Sequence, residues 1–83
     1  MVNYMAGIRK RILRLRNREG MTQAEFGEAL GIAQQYVASL ETGYRRPSGS
    51  LVFMMAAKFD VAEDWLKRGK GRLPDTAAFL PAN

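Results

Sequence analysis

Residues 22–41 read TQAEFGEALGIAQQYVASLE, and this stretch decides the fold because it spells two short helices joined by a tight glycine turn. Thr22 is an N-cap residue with Glu25 three positions on, the spacing of a reciprocal capping box, so a helix begins at Gln23. Phe26, Ala29 and Leu30 fall at i, i+3 and i+4 and give that helix one apolar face. Gly31 follows as the residue able to take positive φ at a helix end. A second helical pattern begins near Ala33, where Tyr36, Val37 and Leu40 form an apolar stripe and Gly43 closes the element. Helices this short do not stand alone in water, so both must share a core with flanking segments. The few residues 31–33 force them to cross steeply, which is the geometry of a helix-turn-helix unit.

The flanks supply that core. Before the pair, MAGIRKRILRLRNRE over residues 5–19 places Ile8, Ile12 and Leu15 at helical spacing among Arg9, Lys10, Arg11, Arg14, Arg16 and Arg18. This predicts a first helix that stops before Gly20, with the charges on a solvated face. After Gly43, Pro47 disfavours α conformation at Arg46, so YRRPS forms an irregular basic loop. Ser48 or Ser50 caps a fourth helix, LVFMMAAKF, with Leu51, Val52, Met55 and Phe59 facing inward. Asp60 ends it. A fifth helix runs over about residues 63–68 around Trp65 and Leu66, with acids first, bases last and Gly69 beyond, as the helix dipole prefers. Residues 1–71 are therefore expected to form one all-α, five-helix DNA-binding domain. Residues 72–83, with Pro74 and Pro81 and no sustained periodicity, are expected to be a flexible C-terminal tail or a docking arm.

Composition narrows the function. The 83 residues contain no Cys and no His, so neither a disulfide framework nor an imidazole or thiolate metal site is expected, and no cofactor. No phosphate loop or nucleophile motif stands near the carboxylates, and Glu25, Glu41 and Asp60 all have structural explanations, so the chain is not expected to be an enzyme. A formal net charge of +5 favours a polyanionic partner. The basic first helix invites a membrane reading, but its apolar residues are needed over the second and third helices, and no run is long enough to span a bilayer. Without a signal-peptide pattern, a cytoplasmic location is expected.

LRLR in the first helix, TQAEFGEALG in the second, QQYVASLETG in the third, RRPS in the loop and DWLKRGKG at the end together resemble the phage repressor and Cro family of helix-turn-helix proteins. That family is also called XRE or lambda-repressor-like. The resemblance covers roughly residues 8–71 and implies a compact five-helix fold, operator binding on double-stranded DNA and dimer formation. It also implies an internal salt bridge between Arg16 and Glu41, both of which sit beside core positions. Two residues depart from the family pattern between the fourth and fifth helices: Asp60 replaces a frequent Gly, and Ala62 a frequent N-cap Ser. Asp tolerates the left-handed region or can cap the next helix, so altered local geometry and an intact fold are expected.

The candidate site follows from the third helix. Gln34 and Gln35 open it, and the N-terminal residues of a recognition helix are those that reach base edges in the major groove. A carboxamide carries donor and acceptor together, matching N6 and N7 of adenine. Ser39, one turn on, falls on the same face and is expected to touch base or phosphate. Ala33 stands where similar proteins often have Ser or Thr; it loses a cap and a phosphate donor but keeps a methyl group for thymine. Gln23 begins the second helix, where free amides and the positive dipole end face the DNA backbone, and is assigned to phosphate. Thr42, the backbone around Gly43, Tyr44, Arg45 and Arg46 are likewise suited to phosphate, with one arginine able to enter a narrowed minor groove.

The fourth helix has more apolar surface than one inward face requires, since Phe53 and Met54 lie beside Leu51, Val52 and Met55. Surplus apolar surface means a crowded core or a partner. In the family this region supplies dimer contacts, so Phe53, Met54, Asp64 and Trp65 are expected at an isologous homodimer interface. The function expected is a sequence-specific repressor that docks one helix per subunit in successive major grooves of a palindromic site. The competing class is an antitoxin-type interaction module whose tail, through Leu73, Phe79 and Leu80, binds a partner protein. Prophage repressor and restriction-modification controller remain equal alternatives on the sequence.

Overall fold

The basic stretch forms α1, Ile8–Arg18, in a computed structural model that describes residues 7–71. The helix starts later than its sequence pattern suggests, because Gly7 takes φ 85° and turns the chain. Met5 and Ala6 lie outside the described residues, as does the tail with Leu73, Phe79 and Leu80. The remaining elements are α2 (Gln23–Leu30), α3 (Gln34–Thr42), α4 (Gly49–Phe59) and α5 (Glu63–Arg68). The described residues are thus all-helical and contain no strand.

Each boundary has a local cause. Thr22 Oγ1 accepts from the Glu25 N–H at 3.1 Å while Glu25 Oε1 accepts from the Thr22 N–H at 2.9 Å, so the capping box of α2 is complete. At the other end Gly31 has φ 76°, the Ile32 N–H donates to the Gly27 carbonyl at 2.9 Å and the Gly31 N–H to that of Glu28 at 3.3 Å. That bond pair is a Schellman motif, which satisfies carbonyls the helix would leave open. Ser48, rather than Ser50, caps α4 by accepting from the Leu51 N–H at 3.1 Å. Asp60 ends α4 in the left-handed region at φ 57°, which a short polar side chain tolerates better than most. Ala62 precedes α5 with no side-chain cap.

The core is where the apolar faces meet. Ile12, Leu15, Phe26, Val37, Leu40, Val52, Met55 and Leu66 are fully enclosed. Phe26 of α2 stacks on Phe59 of α4 with ring centroids 5.1 Å apart. α2 packs chiefly on α3, α1 on α3 and α5, and α4 on α5 with a smaller seam to α2. Trp65 belongs to this core at 4% exposure. Its expected place at a dimer interface is therefore corrected: the indole is buried in the domain's own core.

The arginines of α1 also depart from expectation. Arg11 Nε and Nη2 donate to the carbonyls of Leu66 and Lys67 at 2.7 and 2.8 Å, capping the end of α5. Arg18 Nη2 donates to the Phe59 carbonyl at 2.9 Å and so caps α4. A cation at a helix C-terminus satisfies open carbonyls and opposes the negative end of the dipole. Burial lowers the Arg11 pKa by desolvation. These two side chains are fasteners between helices, not members of a solvated face.

Gly27 is the tightest point of the helix pair. A methyl group there would meet the Ile32 carbonyl oxygen at 2.6 Å and Val37 Cγ2 at 3.3 Å. The first neighbour is backbone and cannot rotate aside, so the Schellman turn itself must move. The close approach to backbone puts the overpacking cost of Gly27→Ala in the upper part of the roughly 1–3 kcal/mol range, which outweighs the roughly 1 kcal/mol gained in helix propensity, so a net loss of stability is expected. A urea midpoint that falls at unchanged slope supports this close approach; an equal or higher midpoint contradicts it.

Candidate nucleic-acid interface

The angle between α2 and α3 is braced by charge as well as by packing. Arg16 on α1 forms a bidentate pair with Glu41 near the end of α3, Nε to Oε2 at 2.6 Å and Nη2 to Oε1 at 3.1 Å. Arg16 Nη1 also donates to the Met21 carbonyl at 2.9 Å, just before α2. Gln23 completes the group, its Nε2 donating to Glu41 Oε1 at 3.0 Å. The two charged side chains are 15% and 6% exposed, so their full set of partners matters. The Gln23 carboxamide is thus tied inward on Glu41, and its phosphate assignment rests on the backbone amide at the start of α2 instead.

The start of α3 is turned outward. Gln34 and Gln35 are exposed at its first two positions, following the exposed N-cap Ala33. Ser39 is half-buried and its Oγ donates back to the Gln35 carbonyl at 3.0 Å. The hydroxyl has thus given up its donor and keeps only acceptor capacity. Thr42 is occupied too: Oγ1 donates to the Ser39 carbonyl at 3.2 Å and accepts from the Tyr44 N–H at 3.4 Å. The Gly43 and Arg45 amides donate to the carbonyls of Leu40 and Ser39. The backbone around Gly43 therefore folds the loop and does not offer its amides to phosphate, contrary to the sequence expectation. What the loop offers outward are the exposed side chains of Tyr44, Arg45 and Arg46.

A second exposed surface lies on α4. Phe53 and Met54 are 61% and 45% exposed, and with Gly49, Ser50, Ala57 and Glu63 they line an apolar groove. Asp64 is exposed near the start of α5 and paired with Arg68 at 2.7 Å.

Residues 12–66 match the family described as helix-turn-helix. The chain belongs to the helix-turn-helix family. As a helix-turn-helix domain it carries the DNA-binding pair on α2 and α3, in an all-helical fold consistent with the lambda-repressor-like class, and in a family whose members are normally not enzymes. An uncharacterized HTH-type transcriptional regulator, y4dJ of Sinorhizobium fredii (strain NBRC 101917 / NGR234), is 39% identical over 49 residues, covering 59% of this chain and 64% of that protein. The chain thus spans less than two thirds of that relative's length. No helix among the described residues is long and apolar enough to cross a membrane.

Three features of the helix-turn-helix domain escaped the sequence reading. Gly27 has no positive φ, so only the turn folding back on it reveals its role. Arg11 and Arg18 act on carbonyls far along the chain. The helical spacing assigns Tyr36 to the apolar stripe alone, yet it is half-buried and its ring lies beside Arg45.

Proposed function

We propose that the chain is a sequence-specific DNA-binding transcriptional regulator of phage repressor or Cro type, acting as a repressor in the cytoplasm. It binds a palindromic operator as a homodimer, with α3 of each subunit in the major groove. The observation that carries this reading is the exposure of Gln34 and Gln35 at the start of a helix whose far end is locked to α1 and α2 by Arg16, Glu41 and Gln23. Two carboxamides on a rigidly held helix end suit adenine edges. The α2 N-terminus with Gln23, together with Tyr44, Arg45 and Arg46, would add contacts to the DNA around it, and the net charge of +5 would supply much of the affinity.

The dimer part of the proposal rests on α4. Phe53 and Met54 are the large apolar side chains left exposed there, and an isologous contact would bury them twice. Asp64 stands at the rim of that contact, and Trp65 has no part in it.

Selection of bound sites from randomised duplex tests the reading as a whole. An inverted repeat with half-site centres about 34–36 Å apart is expected. A pool that shows no enrichment would exclude sequence-specific binding, and a single unrepeated half-site would exclude the dimer.

A further inference from the structure

Arg45 lies beyond the end of α3, yet its guanidinium comes back against the side chain of Tyr36, a residue of the first turn of that helix. Its Cζ is 5.7 Å from the Tyr36 ring centroid and 5.9 Å from that of Tyr44, within the roughly 6 Å over which an aromatic face attracts a cation. The backbone fixes this return. The Arg45 N–H donates to the Ser39 carbonyl at 3.1 Å, while Thr42 Oγ1 bridges the same carbonyl and the Tyr44 N–H. The side chain then joins Ala33, Gln35, Tyr36 and Ser39 around one groove on the outer side of α3.

That placement separates Arg45 from an ordinary loop cation. Residues at the N-terminal part of a recognition helix reach base edges, whereas the loop beyond it follows the sugar-phosphate backbone. A head group that lines one groove with Tyr36 and Gln35 stands beside the residues proposed to read bases. The guanidinium is a planar fork whose parallel N–H groups match O6 and N7 of guanine. Such a contact demands orientation as well as charge, and an arginine already held against two rings has less rotamer freedom to lose on binding.

We propose that Arg45 is a specificity-determining residue that reads a guanine in the major groove, beside the base pair met by Gln35, and that Tyr36 is its positioning residue. The assignment rests on the reading of α3 as the recognition helix. Arg45 and Gln35 then act as a composite reader, one fork for guanine and one carboxamide for adenine.

The test uses the full chain and sites selected from randomised duplex, followed by affinities on the selected duplex and on one with the guanine exchanged for adenine, over a range of salt. The wild-type chain is expected to select one such guanine per half-site and to discriminate against its exchange by roughly 5- to 150-fold. Arg45→Lys keeps the charge and loses the fork, so discrimination at that position should fall at least about fivefold with an unchanged salt slope. Tyr36→Leu should cause the same positional loss, and Tyr36→Phe, which retains the ring face, should restore what Leu removes. Thermal unfolding of the Leu variant checks that the fold is retained, and Arg45→Lys decides the matter if it is not. An unchanged preference at every position in Arg45→Lys overturns the assignment. So does equal weakening of Arg45→Ala on all sequences with a shallower salt slope, the mark of a phosphate contact. A wild-type chain that enriches no sequence overturns both this assignment and the reading beneath it, whereas enrichment indifferent to Arg45 overturns this assignment alone.

Discussion

Glu41→Ala is expected to destabilise the domain by about 3–5 kcal/mol, the range for removing one partner of a buried ion pair. Glu41 is the shared acceptor of the brace: it takes two bonds from Arg16 and one from Gln23. Its loss leaves a mostly buried guanidinium with only the Met21 carbonyl from this group, and frees the carboxamide that tethers the start of α2. Domains of this size hold roughly 3–10 kcal/mol in total, so the variant is expected to be largely or wholly unfolded at moderate temperature. The loss does not mean that the pair contributes this much net stability, because desolvation offsets most of the Coulomb attraction. Replacing both partners, Arg16→Met with Glu41→Leu, should therefore recover much of what the single change removes. Urea unfolding of the wild-type chain, Arg16→Met, Glu41→Leu and the double variant gives the coupling energy directly. Additive effects, or a single-variant loss below about 1 kcal/mol, would contradict the bracing role.

The same brace shows what a sequence can reveal and what it hides. The Thr22–Glu25 capping box, the Gly31 turn and the Phe26 face are written within a few residues of one another, so local stereochemistry was enough to place α2 and the turn after it. Five helices and most of their inward residues followed in the same way. Arg11 and Arg18 were misread because their partners lie 55, 56 and 41 residues away. Nothing in the spacing of a basic helix distinguishes a solvated arginine from one that caps a distant helix. Trp65 was misplaced for a related reason: α5 is only Glu63–Arg68, too short for its periodicity to show which side faces the core.

The candidate site was legible to a different depth. The position of Gln34 and Gln35 at the start of α3 makes them candidates, and both are exposed there. The hydroxyls were harder, because the spacing that puts Ser39 on the face of Gln35 also lets its Oγ bond back to the Gln35 carbonyl. Thr42 shows the same ambiguity and is used to fold the loop. Backbone competition for Ser and Thr hydroxyls is a local contest that composition does not decide.

The second large effect concerns selection and not stability. Gln34 and Gln35 are exposed, so truncating them removes no core contact and should leave the fold intact, surface changes of this kind lying within about 0.5 kcal/mol. Each carboxamide that makes a bidentate contact contributes roughly 1–3 kcal/mol of base discrimination. Removing both is then expected to reduce the preference for the operator by roughly 30-fold or more. Neither side chain carries charge, so the electrostatic part of binding should be unaffected.

The decisive measurement is the ratio of affinities for the selected duplex and a scrambled one, at several salt concentrations, for the wild-type chain and the Gln34→Ala/Gln35→Ala variant. Selective binding by the wild-type chain and collapse of the ratio in the variant, with unchanged affinity for scrambled DNA and an unchanged salt slope, is the expected result. A ratio that survives the double substitution, or a uniform loss of affinity on both duplexes, would contradict the claim that the start of α3 reads the sequence.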